Sequence, residues 1–279
     1  MEVRMRQITK ILAMALMAVL FAGSAWAFSD FTWKLDKIGF ENFVSGDTEI
    51  DLSKITFSTI GNKYATIKQD VDAKYGYVYE NAAFTEFGLL GVLALNDSPY
   101  IFKQTSSGRL GYLFYEFKDL AGYVYDVTPN GYKIEFAPGV GTVELKYTLN
   151  ADLSNPLGTI ASYSIVDAGS TDFSVTEGFG GGTGGFGFDL VMKEVISGFW
   201  FFDGKDATDW LLEGYTIAAE SLAFGSTIMG TKWISDTTVR DIYVSNTGAL
   251  LHTVPEPGSL LLLGAGLLGL GAVARRRKN

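Results

Sequence analysis

Apolar and polar residues alternate one for one through Tyr132-Lys-Ile134-Glu-Phe136 and again through Val143-Glu-Leu145-Lys-Tyr147-Thr-Leu149. A period of two places one class of side chain on each face of a strand and cannot build one apolar face on a helix. Between the runs, Pro138-Gly139-Val140-Gly141 has turn chemistry, so the two are expected to pair as a hairpin. Further strands rich in aromatic and β-branched residues are expected over residues 54–59, 64–68, 75–79, 112–117, 123–127, 160–165, 186–195 and 199–202. Phe84–Leu95 is a longer apolar run, broken by Gly88 and Gly91, and reads as one bent strand. Short strands punctuated by Gly, Asn, Asp and Ser predict an all-β body, an antiparallel sandwich or open barrel. One helical turn or two is expected from Asp206 to Leu212, with Asp206 as cap. Aromatic clusters recur without a fixed period, so a solenoid is not indicated.

The two ends differ from this body. Arg4, Arg6 and Lys10 precede twelve apolar residues, Ile11 to Ala22, and Ala25-Trp26-Ala27 puts small residues where a signal peptidase reads. Residues 1–27 are therefore expected to be a secretory signal helix, cut after Ala27. Residues 28–253 form the expected secreted β domain. From Val254 the chain reads Pro255-Glu256-Pro257, then fifteen residues of Leu, Gly, Ala and Val from Leu260 to Ala274, then Arg275, Arg276, Arg277 and Lys278. A transmembrane helix at about 259–274 is expected, with 275–279 as a basic cytoplasmic end and an inner-membrane precursor stage.

Charge and residue usage narrow the chemistry. The chain has 22 basic and 31 acidic residues. The signal segment holds three bases and Glu2, and the stretch from Pro255 holds four bases and Glu256, which leaves 15 bases, 29 acids and a net charge of −14 between them. Such a body repels nucleic acid and anionic lipid. There is no cysteine, which excludes disulfides, thiol nucleophiles and thiolate-bound metals. The one histidine, His252, lies in what reads as a linker and is a poor catalytic or zinc candidate. Gly182-Thr-Gly184-Gly-Phe-Gly187 fits a dinucleotide pattern in spacing, but a strand rather than a helix follows. The whole run 178–188 reads as a flexible loop or a crossing between halves. Asp203, Asp206, Asp209 and Glu213 are the candidate calcium ligands, although their spacing is not that of an EF-hand and a solvated acidic turn is the plainer reading. No cofactor is expected. An acid pair for glycoside hydrolysis is compatible with 29 carboxylates but has no specific support. Trp200, Trp210 and Trp233 are candidates for stacking on sugar rings, with core packing as the alternative.

Val254-Pro255-Glu256-Pro257, the Leu/Gly stretch and the Arg-Arg-Arg-Lys end resemble the PEP-CTERM sorting signal of Gram-negative bacteria, a tail also labelled the C-terminal domain of ice-binding proteins. The resemblance covers 254–279. It implies recognition at Pro-Glu-Pro by an exosortase, removal of the tail, and release or attachment of the body at the cell surface. "FSDFTW" and "DKIGFENF" bear a looser likeness to flocculation-associated members of the group. The expectation is a non-enzymatic exported protein of the cell surface or extracellular matrix, associated with exopolysaccharide, biofilm or floc formation. Signal peptidase and exosortase would be its processing partners. The alternatives are a secreted carbohydrate-active enzyme and a lectin-like module.

Overall fold

The computed structural model describes residues 27–28, 31–128, 131–167, 171–176, 181–186, 189–233 and 237–254. In chain order the strands begin β1 (Ala27–Phe28), β2 (Phe31–Lys34), β3 (Phe40–Asn42), β4 (Glu49–Leu52), β5 (Ile55–Ser58), β6 (Ala65–Asp70) and β7 (Ala83–Leu95). Next come β8 (Ser98–Pro99), β9 (Phe102–Gln104), β10 (Leu110–Thr128), β11 (Gly131–Phe136), β12 (Thr142–Thr148) and β13 (Gly158–Asp167). They are followed by β14 (Thr171–Thr176), β15 (Gly181–Phe186), β16 (Asp189–Val195), β17 (Trp200–Phe202) and β18 (Lys205–Asp206). Helix α1 (Ala207–Leu212), β19 (Ala218–Trp233) and β20 (Val239–Val254) complete the described chain.

The pairings close on themselves. Starting from β20, the ladder runs through β5, β7, β10, β12, β13, β16 and β19 and returns to β20. A second circuit shares β20, β7, β10 and β19 but passes through β6, β11, β14 and β15. Four long strands therefore run the length of a closed antiparallel barrel, and eight short ones fill its two levels. The upper level is where Asp70 pairs with Val239, and the lower is where Ile55 pairs with Leu250. β20 thus starts at the upper end and finishes at the lower. Closure removes the free edges that an open sheet would have to protect.

Alternation explains which side faces in. β6 and β11 bury every second residue, including Ala65, Ile67, Gln69, Tyr132, Ile134 and Phe136. The 19-residue β10 bends at two register shifts, Phe117/Leu120 and Tyr125/Thr128. Asp119 (φ 54°) and Asp126 (φ 52°) sit at these bulges, where a short polar side chain tolerates the left-handed conformation. The β7–β8 turn, Asn96-Asp97, has positive φ at both residues, as a two-residue hairpin requires.

A second sheet, ordered β18-β17-β2-β4, packs on the lower end. Phe31, Trp33, Phe199, Trp200 and Phe202 are at most 1 % exposed. His252 joins them, with ring centroids 4.5 Å from Trp200 and 5.1 Å from Phe31. Burying each large ring contributes about 2 kcal/mol, so this plug supplies much of the lower core.

Several expectations require correction. The expected sandwich or open barrel is a closed barrel, because the ladder that starts at β20 returns to it through β19. The expected hairpin of 132–136 with 143–149 does not form. Both runs pair with β10, β11 along Gly122–Thr128 and β12 along Tyr112–Lys118, so they lie end to end. Residues 75–79 form a loop rather than a strand, and the glycine run contributes β15, paired with β14 and β19. The signal helix in 1–27 and the transmembrane helix at about 259–274 lie outside the described residues, Ala27 apart, and neither is among the elements described. The described chain is mostly strand with one short α-helix, and among the described residues no helix is long and apolar enough to cross a membrane. No helix among the described residues supports the expected inner-membrane precursor stage. The basic end, Arg275, Arg276, Arg277 and Lys278, lies outside the described residues together with the rest of 255–279.

Two compact units are distinguished. One comprises Ser29–His252; the other comprises Met1–Phe28 with Thr253–Asn279. Within the second, the described residues form one short ladder, Ala27 opposite Val254 and Phe28 opposite Thr253.

Candidate functional site

The expected sites fall in different places. Of the processing motif, Val254 ends β20, while Pro255, Glu256 and Pro257 lie outside the described residues. At the signal cut, Ala27 is in β1 and Ala25 lies outside. His252 is not in a linker: it is 1 % exposed on β20, its Nε2 is 3.4 Å from the Tyr163 hydroxyl, and its Nδ1 has no partner. Burial among aromatic rings pushes its pKa down to about 3, so the ring is neutral.

Of the calcium candidates, Asp206 is committed to other partners. Asp206 caps α1, accepting from Thr208 N at 2.9 Å, and also accepts from Gly198 N at 2.6 Å and from the Ser197 hydroxyl at 3.1 Å. Partial burial opposes its charge, but these bonds outweigh it and hold the carboxyl below its ordinary range. Asp203 occupies the positive-φ turn before Gly204, and Asp209 is exposed on α1. Among the described residues no three His, Cys, Asp or Glu side chains are grouped to hold a metal ion.

The tryptophans are also mostly committed to packing. Trp200 is fully buried. Trp210 packs edge-on against Tyr215, carries the Lys205 ammonium over its ring and donates from Nε1 to the Phe202 carbonyl. The side chain of Trp233 lies outside the description.

Exposed aromatic surface gathers instead on the loop 71–82 at the upper end. Tyr75, Tyr77 and Tyr79 are 57, 54 and 46 % exposed, while Gly76, Val78 and Ala82 between and beyond them are buried. The Tyr75 and Tyr77 rings lie 6.0 Å apart and 19° from parallel, and the Lys74 ammonium stands 4.7 Å over Tyr75. Asp72 Oδ1 fixes the turn by accepting from Lys74 N and Tyr75 N, each at 2.9 Å. The backbone bond from Asp72 N to the Tyr77 carbonyl closes it. The loop is pinned at both ends: Val71 N donates to Thr238 O, Asn81 N donates to Val124 O, and the Glu80 carboxylate accepts from Asp126 N and Val127 N. Tyr123 and Tyr125 flank Val124 on the outer face of β10. Alternate tyrosines at 75, 77 and 79 were the sequence clue, but the same alternation reads equally as a strand.

One interior space is lined by Glu86 among Phe57, Leu90, Tyr115 and other apolar side chains. Glu86 is the sole carboxyl there, and burial pushes its pKa up to about 7 even though Asn246 Nδ2 donates to it at 3.3 Å. Asn246 Oδ1 in turn accepts from the Ser226 hydroxyl at 2.7 Å. The acid pair that glycoside hydrolysis needs is not assembled in this space.

Comparison with known proteins adds one match. Residues 253–278 fit the model of the PEP-CTERM protein-sorting motif. This chain carries a PEP-CTERM sorting signal. The match begins one residue after buried His252 and includes Pro255, Glu256, Pro257 and the basic end. The PEP-CTERM signal supports sorting by an exosortase toward the cell surface or secretion. No curated protein and no solved structure matches the chain.

Proposed function

We propose that this is a non-enzymatic, exported component of the cell surface or extracellular matrix whose barrel contacts exopolysaccharide through the tyrosine loop. Signal peptidase would cut after Ala27, and an exosortase would act at Pro255-Glu256-Pro257. The observation that carries the binding role is the near-parallel, solvent-facing Tyr75–Tyr77 pair on a turn locked by Asp72 and Glu80. Flat aromatic faces held in advance of binding present apolar area at little entropic cost, which suits the C–H faces of sugar rings. The acidic body disfavours anionic polymers, so the fitting glycan is neutral or carries amino sugars.

A Tyr75→Ala/Tyr77→Ala double variant tests this. It should keep its thermal midpoint and lose at least about tenfold in affinity for exopolysaccharide purified from the native host, roughly 1.4 kcal/mol. Unchanged affinity ends the reading. Joint replacement of Pro255, Glu256 and Pro257 should leave the body folded and the tail uncut, read by intact mass from the native host. Normal processing of that variant would remove the sorting role.

A further inference from the structure

Arg240 lies near the start of β20, opposite Gln69 of β6. Its side chain points into the barrel: it is 8 % exposed and shares the inward face with Ile242 and Val244. Arg240 Nε and Nη2 both donate to Gln69 Oε1, at 3.0 and 2.8 Å. The Tyr132 hydroxyl donates to the same oxygen at 3.2 Å. One neutral amide oxygen therefore serves three donors, the load usual for a carboxylate.

Among the described residues the charge has no counterpart, and no carboxylate bonds to Arg240. Asp70 and Asp241, its neighbours in the ladder, alternate to the outer face of the barrel. Glu86, the interior acid, pairs in register with Ile67 rather than Gln69 and is held by Asn246. A guanidinium largely withdrawn from water and faced only by a neutral acceptor is destabilised unless an anion joins it. Among the described residues Arg240 Nη1 and Gln69 Nε2 have no partner, and neither is among the fully buried unsatisfied atoms, so two donors open toward solvent beside the charge.

We propose that Arg240 and Gln69 form a binding site for a small carboxylate anion at the upper end of the barrel. A planar carboxylate matches the guanidinium fork with two parallel hydrogen bonds, which a halide cannot make. The adjoining space is lined by Gln69, Tyr132, Phe84 and Ile242 but not by Arg240, and has room on the scale of one water molecule, so it takes at most the hydrogen or methyl group of the ligand while the carboxylate stays at the guanidinium. The ligand is thus of formate or acetate size. The site is independent of the tyrosine loop and of its glycan.

The test is a formate titration of the full-length chain at constant ionic strength, with chloride replaced stepwise and Tm as the readout. A ligand that binds only the folded state raises Tm along a saturating curve. Wild type should show that curve. Arg240→Met should not respond to formate. Gln69→Glu supplies the carboxylate from within, so it should start at a higher Tm and also lose the formate response. Gln69→Glu keeps the test decisive should Arg240→Met fail to fold. A wild-type Tm unmoved by formate, a response retained in Gln69→Glu, or a lower starting Tm for that variant would each overturn the proposal.

Discussion

Gly141 rests against the backbone of Asp119. A Cβ on Gly141 would stand 2.6 Å from the Asp119 carbonyl carbon and oxygen, and its own φ is +78°. This contact is where the connection between β11 and β12 passes the first bulge of β10, so two irregularities in different strands fit together. Gly141→Ala should therefore cost about 2–3 kcal/mol, since the backbone cannot move aside and the left-handed conformation is strained. Gly139 has a similar φ of +74° but nothing within 4 Å of its added Cβ, so Gly139→Ala should cost about 1 kcal/mol. Urea unfolding midpoints of the two variants check the difference.

Glu86 gives the folded state a proton to hold. Its pKa is raised to about 7 from 4.5, so between these values the native state binds a proton that the unfolded state has released. Its contribution is present below about pH 4.5 and is lost as pH rises to about 7, on the order of 3 kcal/mol in all. Glu86→Gln should remove that decline, so the variant gains on wild type between pH 4.5 and 7. Parallel stability curves for the two proteins across this window would contradict it.

His252 works in the opposite direction. Its pKa of about 3 in the fold, against 6.5 ordinarily, means that the unfolded state binds the extra proton between pH 3 and 6.5. Stability from this group rises with pH through that window. Between about pH 4.5 and 6.5 the two slopes cancel and wild type should show a plateau, whereas His252→Phe should fall steadily there. Thermal midpoints at half-unit pH steps distinguish the shapes.

Asp206 ties three backbone or side-chain donors at the start of α1. Asp206→Ala leaves Gly198 N and the first turn of the helix without their acceptor and should cost about 1–2 kcal/mol. Asp206→Asn should recover part of it by keeping an acceptor oxygen. Guanidinium midpoints for the pair measure both effects.

Strand identity was readable wherever alternation and turn chemistry coincided, as in β5, β6 and the bent β7, and the cap at Asp206 was legible from one residue. Partnering was not. The Pro138–Gly141 stretch has the composition of a hairpin turn, yet β11 and β12 face a third strand, because only the 19-residue length of β10 offers both a common edge. The glycine run gave no side-chain pattern to mark it as β15; its place comes from two neighbours that supply the ladder. His252 looked like linker because the proline motif follows so closely, and Arg240 passed unnoticed because its inward position depends on the register of β20 with β6. The sorting motif, in contrast, is a linear signal and needed no tertiary context.

β20 enters the barrel beside the tyrosine loop and leaves it at the aromatic plug, a few residues before Pro255. That single strand spans the distance between the Tyr75–Tyr77 loop and the plug, so a load applied at one end of the barrel would reach the other through one unbroken backbone.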